Sequence, residues 1–142
     1  MYERILLPTD GSDASDRAVA QAVGLAEELG ATLHVLFVVE DLPYSPEMMD
    51  DSVEARLREV GGDALERVRE QAGAASVEIV TALEQGVPHE TILAYADDED
   101  CDLIVMGTHG RSGLDRYLLG SVTERVVRAA DCPVLTVRHR DE

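Results

Sequence analysis

Lysine is absent from this 142-residue sequence, so that all 12 basic residues are arginines, and they face 29 acidic residues. The formal charge of −17 argues against binding to nucleic acids or anionic membranes, because contacts to their phosphates need a positive surface. A folded domain with this many carboxylates repels itself at low ionic strength and is screened in salt. We therefore expect a heavily acidic surface suited to a salt-rich, halophilic cytoplasm. An ordinary acidic protein is the alternative, and the missing lysine disfavours it.

Aromatic residues and long apolar runs are also scarce. Phe37 is the only phenylalanine and tryptophan is absent, so the core must be mainly aliphatic. The apolar runs reach about six residues, whereas a membrane-spanning helix needs about 20. The first residues lead directly into a strand-like segment and lack the long apolar stretch of a signal peptide. These absences predict a cytoplasmic protein that does not span a membrane.

The few cysteines and histidines offer little chemistry. Cys101 and Cys132 form no CxxC pair and have no histidine or cysteine at metal-ligand spacing. We expect two free thiols in a reducing compartment. His34 lies in a strand-like segment and His89 at the start of a helix-like one, and neither has a catalytic partner in the sequence around it.

Strand-like and helix-like segments alternate along the whole chain. Thr32 to Val39 is continuously apolar, which is typical of a strand buried on both faces. Gly30 fits the left-handed residue that ends a helix, and Pro88 fits the first turn of another. Gly61 and Gly62 are expected to interrupt the second helix. The predicted strands are 3–7, 32–39, 76–83, 102–106 and 133–137, and the predicted helices are 52–71, 88–97, 121–130 and a first one that Ser12 or Asp13 caps and Gly30 ends.

This alternation predicts one α/β domain over residues 1–142, with a parallel sheet and helices on both faces. Ligands of such sheets bind beyond the carboxyl ends of the strands, where the strand order reverses. Two segments stand at that position in the predicted fold. They are Pro8 to Asp10 after the first strand and the loop from Gly107 after the fourth.

The strongest local signal is that loop, which contains Gly107, Gly110 and Gly120. Glycine lets backbone N–H groups approach an anion without a side chain in the way. Ser121 stands where the next helix begins, and the N–H groups and dipole of a helix start favour phosphate. The loop is neither a Walker A motif, which needs lysine, nor the dinucleotide motif GxGxxG.

Charge supports an anion site at this loop. Residues 107–130 contain four arginines and two acids, a local charge of +2, whereas the first 106 residues carry −18. An alternative needs no ligand, because Ser121 followed by Glu124 fits a capping box that closes the helix start by itself. The residue pattern alone leaves both interpretations open.

The spacing Gly107-x2-Gly110-x9-Gly120-Ser121 resembles the ATP-binding signature of the universal stress protein family. The opening segment Ile5 to Ser12 and the closing segment Cys132 to Val137 resemble the same family. The resemblance implies a Rossmann-like, five-stranded parallel sheet in the order 3-2-1-4-5, with bound ATP and a Mg or Mn ion. It also implies a homodimer joined through the last strand, Val134 to Val137, which this order places at a sheet edge.

The resemblance further implies roles for individual residues. Asp10 matches an acid near ribose and adenine, and Val38 matches a residue whose backbone recognises adenine. Met106, Gly107 and Gly110 match residues that contact ribose and phosphate. Gly120, Ser121 and Val122 match the residues that surround the β- and γ-phosphates. The candidate nucleotide-binding residues are Pro8, Thr9, Asp10, Val38, Met106, Gly107, His109, Gly110, Arg111, Gly120, Ser121, Val122 and Thr123.

Two functions agree with these features. The first is a regulatory module in the stress response, in which ATP occupancy changes shape or partner choice. The alternative is a slow ATPase or phosphotransferase at the same site. Hydrolysis needs a positioned water and usually a base near the γ-phosphate. The only obvious carboxylate is Asp10, which the resemblance assigns to the sugar end. We therefore expect binding without efficient turnover.

The acid excess predicts that folding depends on salt. The midpoint of thermal unfolding should climb steeply as salt rises above ~1 M, beyond simple Debye screening, which is nearly complete there. Circular dichroism melts across a KCl series measure this midpoint. A midpoint that stays constant across the series contradicts the prediction.

Overall fold

Five strands and four helices alternate in the described part of the chain. The computed structural model describes residues 2–12, 15–40, 51–108 and 120–138, without the side chains of 51–54. Within these ranges no helix is long and apolar enough to cross a membrane. The elements are β1 (Arg4–Pro8), α1 (Asp16–Leu29), β2 (Thr32–Glu40), α2 (Asp51–Ala72), β3 (Ile79–Gly86), α3 (Pro88–Asp98), β4 (Leu103–Gly107), α4 (Ser121–Ala129) and β5 (Val134–Val137).

The strands form one parallel sheet in the order β3-β2-β1-β4-β5, which confirms the predicted α/β fold. β1 lies at the centre, paired with β2 on one side and with β4 on the other. The chain winds outward from β1 to β3, then returns to the far side of β1 to form β4. The strand order therefore reverses between β1 and β4, where their carboxyl ends meet.

Aliphatic side chains cover both faces of this sheet. Because side chains alternate along a strand, Ile5 and Leu7 face one layer of helices whereas Leu6 faces the other. The first face packs against α1 and α2, including Val19 and Val68, and the second packs against α3 and α4. Strands with two buried faces explain the continuous apolar runs of β2 and β4.

Some element boundaries differ from the sequence prediction. β3 begins at Ile79 rather than 76 and continues to Gly86, because it pairs with β2 along its full length. This edge strand is only partly buried, so its hydrophobic pattern does not mark its ends. The N-cap of α1 is Ser15, so the predicted cap by Ser12 or Asp13 is wrong. The Ser15 hydroxyl donates to the Ser12 carbonyl at 2.7 Å, and the helix begins at Asp16.

The expected break at Gly61 and Gly62 is wrong, because α2 is continuous across both residues. Gly61 instead allows the helix to lie close to the sheet. A Cβ atom there would stand 2.5 Å from Leu83 Cδ1 and 2.7 Å from Phe37 Cδ1. The predicted helix-ending role of Gly30 is confirmed, with φ of 66°. Pro88 occupies the first turn of α3 as predicted.

A buried polar pair lies between the sheet and α3. His34 on β2 and Tyr95 on α3 form a hydrogen bond of 2.8 Å between Nδ1 and Oη, a structural partner for His34 that the sequence did not indicate. Burial lowers the pKa of His34 below its ordinary value of 6.5, and burial raises the pKa of Tyr95 to about 12. Both groups are therefore held neutral in the folded protein at neutral pH.

The buried His34 predicts a pH dependence of stability. Its folded pKa is lowered, so the unfolded chain binds this proton more readily, and stability must be lost as pH falls through 6.5. His34→Gln removes the titrating group while keeping a polar side chain. Thermal melts at several pH values in constant salt should show a smaller loss of midpoint on acidification for His34→Gln than for wild type.

The control is His89→Gln, which removes a histidine at the half-buried second residue of α3. This variant should follow the wild-type pH profile. Comparing variants cancels the effect of the many carboxylates, which all three proteins share. Parallel profiles for wild type and His34→Gln would contradict the prediction.

Candidate functional site

A cavity of about 430 Å³ opens at the carboxyl ends of β1, β2 and β4. Its volume suits a small-molecule ligand, for which pockets of roughly 300–1,000 Å³ are usual. The pairing of β1 with β4 covers only Ile5 with Leu103 and Leu6 with Ile104. Beyond it β1 ends in Pro8, which has no N–H to donate to a neighbouring strand. The cavity lies where this ladder has ended.

The cavity brings together all the predicted site residues that the structure describes. They come from the ends of three strands and from the first turn of α4, as the predicted fold requires. His109, Gly110 and Arg111 lie outside the described residues. The predicted residues that line the cavity are Pro8, Thr9, Asp10, Val38, Met106, Gly107, Gly120, Ser121, Val122 and Thr123.

The start of α4 presents N–H groups that have no acceptor in the described part of the chain. Gly120 is the N-cap, Ser121 is the first helical residue, and no side chain caps the helix, so the capping-box alternative is wrong. The Glu124 N–H donates to the Gly120 carbonyl at 2.9 Å, as in any first turn. The three N–H groups before it, from Ser121 to Thr123, have no acceptor among the described residues. They form part of a cavity wall and suit an anion.

Hydrogen bonds hold this helix start against the end of β4. The buried Thr123 hydroxyl donates to the Gly107 carbonyl at 2.9 Å. The Gly120 N–H donates to the Thr108 carbonyl at 2.7 Å, and the Thr108 N–H donates to the Val137 carbonyl at 3.1 Å. Thr123, predicted as a ligand contact, thus uses its hydroxyl hydrogen to fix the geometry of the helix start.

The loop after β1 folds into a turn around Asp10. The carboxylate Oδ1 of Asp10 accepts hydrogen bonds from the Ser12 N–H, at 2.9 Å, and from the Ser12 hydroxyl. The Gly11 N–H donates to Thr9 Oγ1 at 3.2 Å, and Gly11 adopts φ of 76°, which favours glycine. These bonds orient the Asp10 carboxylate at the cavity wall.

Arg111 and Arg116, two of the four arginines behind the predicted positive charge, lie outside the described residues. The ionised side chains of the described lining are Asp10 and Glu40, both acidic. Arg125 and Arg128 of α4 are exposed and absent from this lining, and Arg128 forms a 2.8 Å ion pair with Glu124. In the part of the site described, backbone N–H groups are therefore the donors suited to an anion.

Several lining residues were not predicted. Each lies between the middle and the carboxyl end of β2, at the N-cap of a helix, or in the first two turns of a helix. Knowledge of the strand ends would have identified those on β2, but Leu57 has no local signal because a ten-residue segment separates its helix from β2. The additional lining residues are Ser15, Leu36, Phe37, Val39, Glu40, Leu57, Pro88 and Ile92.

Metal-ligating groups and thiols add no second site in the described ranges. There, no group of three or more histidine, cysteine, aspartate or glutamate side chains could hold a metal ion. Cys101 and Cys132 are both free thiols, as expected. Burial raises the pKa of Cys101 to about 12, which makes this thiol a poor nucleophile.

Comparison with known proteins relates the chain to one family. The model of the universal stress protein family matches residues 1–138. Universal stress protein MJ0531 of Methanocaldococcus jannaschii is 41% identical over 141 residues, which cover 97% of this chain and 83% of that protein. The solved structure of MJ0577 from the same organism has a TM-score of 0.89 and 30% identity, covering 100% of this chain and 99% of that one.

Two matched structures contain adenine nucleotides. A universal stress protein in complex with cAMP has a TM-score of 0.78 and 29% identity, covering 98% of this chain and 99% of that one. The universal stress protein from Archaeoglobus fulgidus in complex with dAMP has a TM-score of 0.68 and 25% identity, covering 95% and 97%.

Proposed function

The chain belongs to the universal stress protein family, and from this premise we propose that it is a cytoplasmic regulatory module that binds ATP in the cavity at the carboxyl ends of β1, β2 and β4. The observation that supports this most is the start of α4, where three N–H groups lack an acceptor in the described residues and border a cavity of about 430 Å³. The cAMP and dAMP complexes of two relatives support an adenine nucleotide as the ligand.

The lining favours one orientation of the nucleotide. Phosphates suit the first turn of α4, because its N–H groups and helix dipole attract negative charge. The sugar suits Thr9 and Asp10, since a carboxylate accepts hydrogen bonds from ribose hydroxyls and repels phosphate. Adenine suits the apolar wall that Val38, Met106 and other side chains form. The phosphate end of the proposed site therefore carries N–H donors, and the sugar end carries a carboxylate.

We propose a Mg or Mn ion as the companion of the triphosphate. The described lining holds two carboxylates and no basic side chain, so the charge of several phosphate groups needs compensation from elsewhere. Oxygen atoms are the preferred ligands of Mg²⁺. In the described lining the Ser121 hydroxyl is a suitable oxygen donor at the phosphate end, beside the phosphates themselves.

Occupancy rather than turnover is proposed to provide the signal. In the described lining the Thr123 hydroxyl is already bonded to Gly107, and the Asp10 carboxylate accepts two bonds from Ser12. The Thr123 hydroxyl hydrogen is therefore already used, and the Asp10 carboxylate belongs to the proposed sugar end. ATP would join elements from both halves of the sheet, so its binding can change how these elements are presented to a partner.

Gly120→Val tests the phosphate position. The added side chain should block approach to the helix start and remove at least two charge-assisted hydrogen bonds, at roughly 1.5–3 kcal/mol each. Affinity for Mg-ATP should then fall by about two to four orders of magnitude. Ser121→Ala keeps the backbone N–H and should cost less than about tenfold. Calorimetric titration in high salt measures both, with circular dichroism to verify folding.

The matched control is Gly62→Val on α2, where an added Cβ meets nothing within 4 Å. This variant should bind Mg-ATP as wild type does. Titration of ATP with EDTA in place of the metal measures whether the companion ion contributes to affinity. Titration with AMP and cAMP measures whether a triphosphate is required. A folded Gly120→Val protein with wild-type affinity would place the phosphates elsewhere.

We also propose a homodimer joined through β5. This strand is an edge of the sheet, and Leu135 on it is 38% exposed. The carbonyls of Pro133 and Val137 accept bonds from β4, so by alternation the N–H and C=O groups of Val134 and Thr136 point away from β4. An edge of this kind invites pairing with a second copy about a two-fold axis.

Leu135→Glu tests this interface. In the antiparallel register in which Val134 of one copy bonds to Thr136 of the other, Leu135 lies opposite its own copy, with Cβ atoms about 4.5–5.5 Å apart. Two carboxylates at that distance should convert the dimer into a monomer. Light scattering in high salt at micromolar concentration should give twice the chain mass for wild type and for the control Val80→Glu, on the opposite edge and 37% exposed. A monomeric wild type would refute the dimer.

A further inference from the structure

We propose that Arg67 of α2 is a positioning residue for the nucleotide site, because it fixes the loop between β1 and α1 that presents Thr9 and Asp10. The proposal rests on the proposed nucleotide binding. Arg67 is absent from the cavity lining and lies in another helix, so no ligand contact is assigned to it. Its influence would pass through the loop.

The guanidinium of Arg67 holds the loop at two points. It donates to the Gly11 carbonyl at 3.3 Å, and it forms a 2.9 Å ion pair with Asp16 in the first turn of α1. Gln71, one turn further along α2, donates to the Asp16 carbonyl oxygen at 3.2 Å. The two side chains therefore fasten both the turn and the helix start that follows it to α2.

The other described bonds of this loop do not provide the same restraint. The bonds from Gly11 to Thr9 and from Ser12 to Asp10 are internal, so they set the shape of the turn but not its position over the sheet. The Thr9 N–H donates to the Leu36 carbonyl and anchors only the end of β1. The Ser15 hydroxyl and N–H donate to the Ser12 carbonyl and tie the turn to α1, so among the described bonds those of Arg67 are the ones that tie Gly11 to α2.

α2 is suited to this role because it contacts the cavity from a second side. Leu57, near its start, lines the cavity, and Gly61 packs against the Phe37 ring of β2. Further along, Arg67 and Gln71 reach the β1–α1 loop. One continuous helix thus connects the wall formed by β2 with the loop formed after β1.

The contribution of this contact to folding should be small. The side chains of Arg67 and Asp16 are 45% and 39% exposed, and exposed ion pairs add little to the free energy of unfolding. Variants at Arg67 should therefore fold. Their effect on ligand binding is then measurable apart from stability.

Arg67→Met keeps the aliphatic part of the side chain and removes the guanidinium. We expect it to weaken binding of Mg-ATP roughly threefold to thirtyfold, the usual range for a residue that acts without touching the ligand. The matched control is Arg69→Met, which makes the same charge change on the same helix, where Arg69 donates to the Ile79 carbonyl at 3.4 Å. Arg67→Lys keeps the charge but not the two-point contact, and should restore only part of the affinity.

Binding of adenosine, which is uncharged, distinguishes two causes of a lower affinity in Arg67→Met, which are a displaced loop and the loss of a positive charge. Positioning of the sugar end predicts the same fold-loss for adenosine and Mg-ATP in Arg67→Met, whereas a charge effect predicts a loss for Mg-ATP alone. The loss should also shrink when Asp10→Asn is already present, because the group that the loop positions has then been altered. A loss confined to Mg-ATP, or one unchanged by Asp10→Asn, would overturn the proposal.

Hydrogen exchange supplies a readout that needs no ligand. The backbone amides of Gly11 and Ser12 should exchange at least about threefold faster in Arg67→Met than in Arg69→Met, because the loop opens more readily. Equal exchange rates, or equal affinities of the two variants, would show that Arg67 does not position the loop. Failure of the wild-type protein to bind adenosine or Mg-ATP would instead refute the proposed function, and the exchange rates would still decide the role of Arg67.

Discussion

The pairing of β1 with β4 is the constraint on which the site depends. It joins the two halves of the sheet at the point where the strand order reverses, and it covers only Ile5 with Leu103 and Leu6 with Ile104. On the other side, β1 pairs with β2 along its full length as far as Pro8. The carboxyl end of β1 is therefore held from one side only, and the space beside it becomes the cavity. The same reversal brings the starts of α1, α3 and α4 to this edge, so their positive dipole ends converge there.

In the described cavity lining, backbone N–H groups rather than basic side chains are the donors that suit an anion. The described lining has no basic side chain, and its two ionised groups are carboxylates. Donors for an anion come instead from the first turn of α4, whose position depends on the bond from Thr123 to Gly107. The N–H groups of a helix start have fixed directions, whereas a lysine or arginine side chain must be held in place before it can bind an anion. This arrangement suits a protein without lysine, and it makes the junction of β4 and α4 more important than any single charged residue near it.

Much of this architecture could be predicted from the sequence, and for identifiable reasons. The two-faced burial of β1, β2 and β4 produces continuous aliphatic runs, and Gly30 and Pro88 mark helix ends through backbone chemistry. The resemblance of the glycine spacing to one family then indicated which strand ends form the site. The role of Gly61 could not be predicted, because a glycine that breaks a helix and one that permits close packing look the same in sequence. The Arg67 contact was equally hidden, since it joins positions 56 residues apart on an exposed face.

The net charge of the chain and the acidic side chains of the described cavity lining together predict an unusual dependence of ligand binding on salt. In most proteins that bind phosphate, attraction between basic side chains and the anion weakens as salt rises. Here the overall charge is −17, and Asp10 and Glu40 border the cavity, so the long-range field repels a nucleotide. Salt screens this repulsion, whereas short hydrogen bonds from fixed N–H groups at a partly enclosed helix start are screened much less. We therefore expect salt both to stabilise the fold and to strengthen nucleotide binding at the proposed site, so that one property of the solvent controls folding and ligand binding.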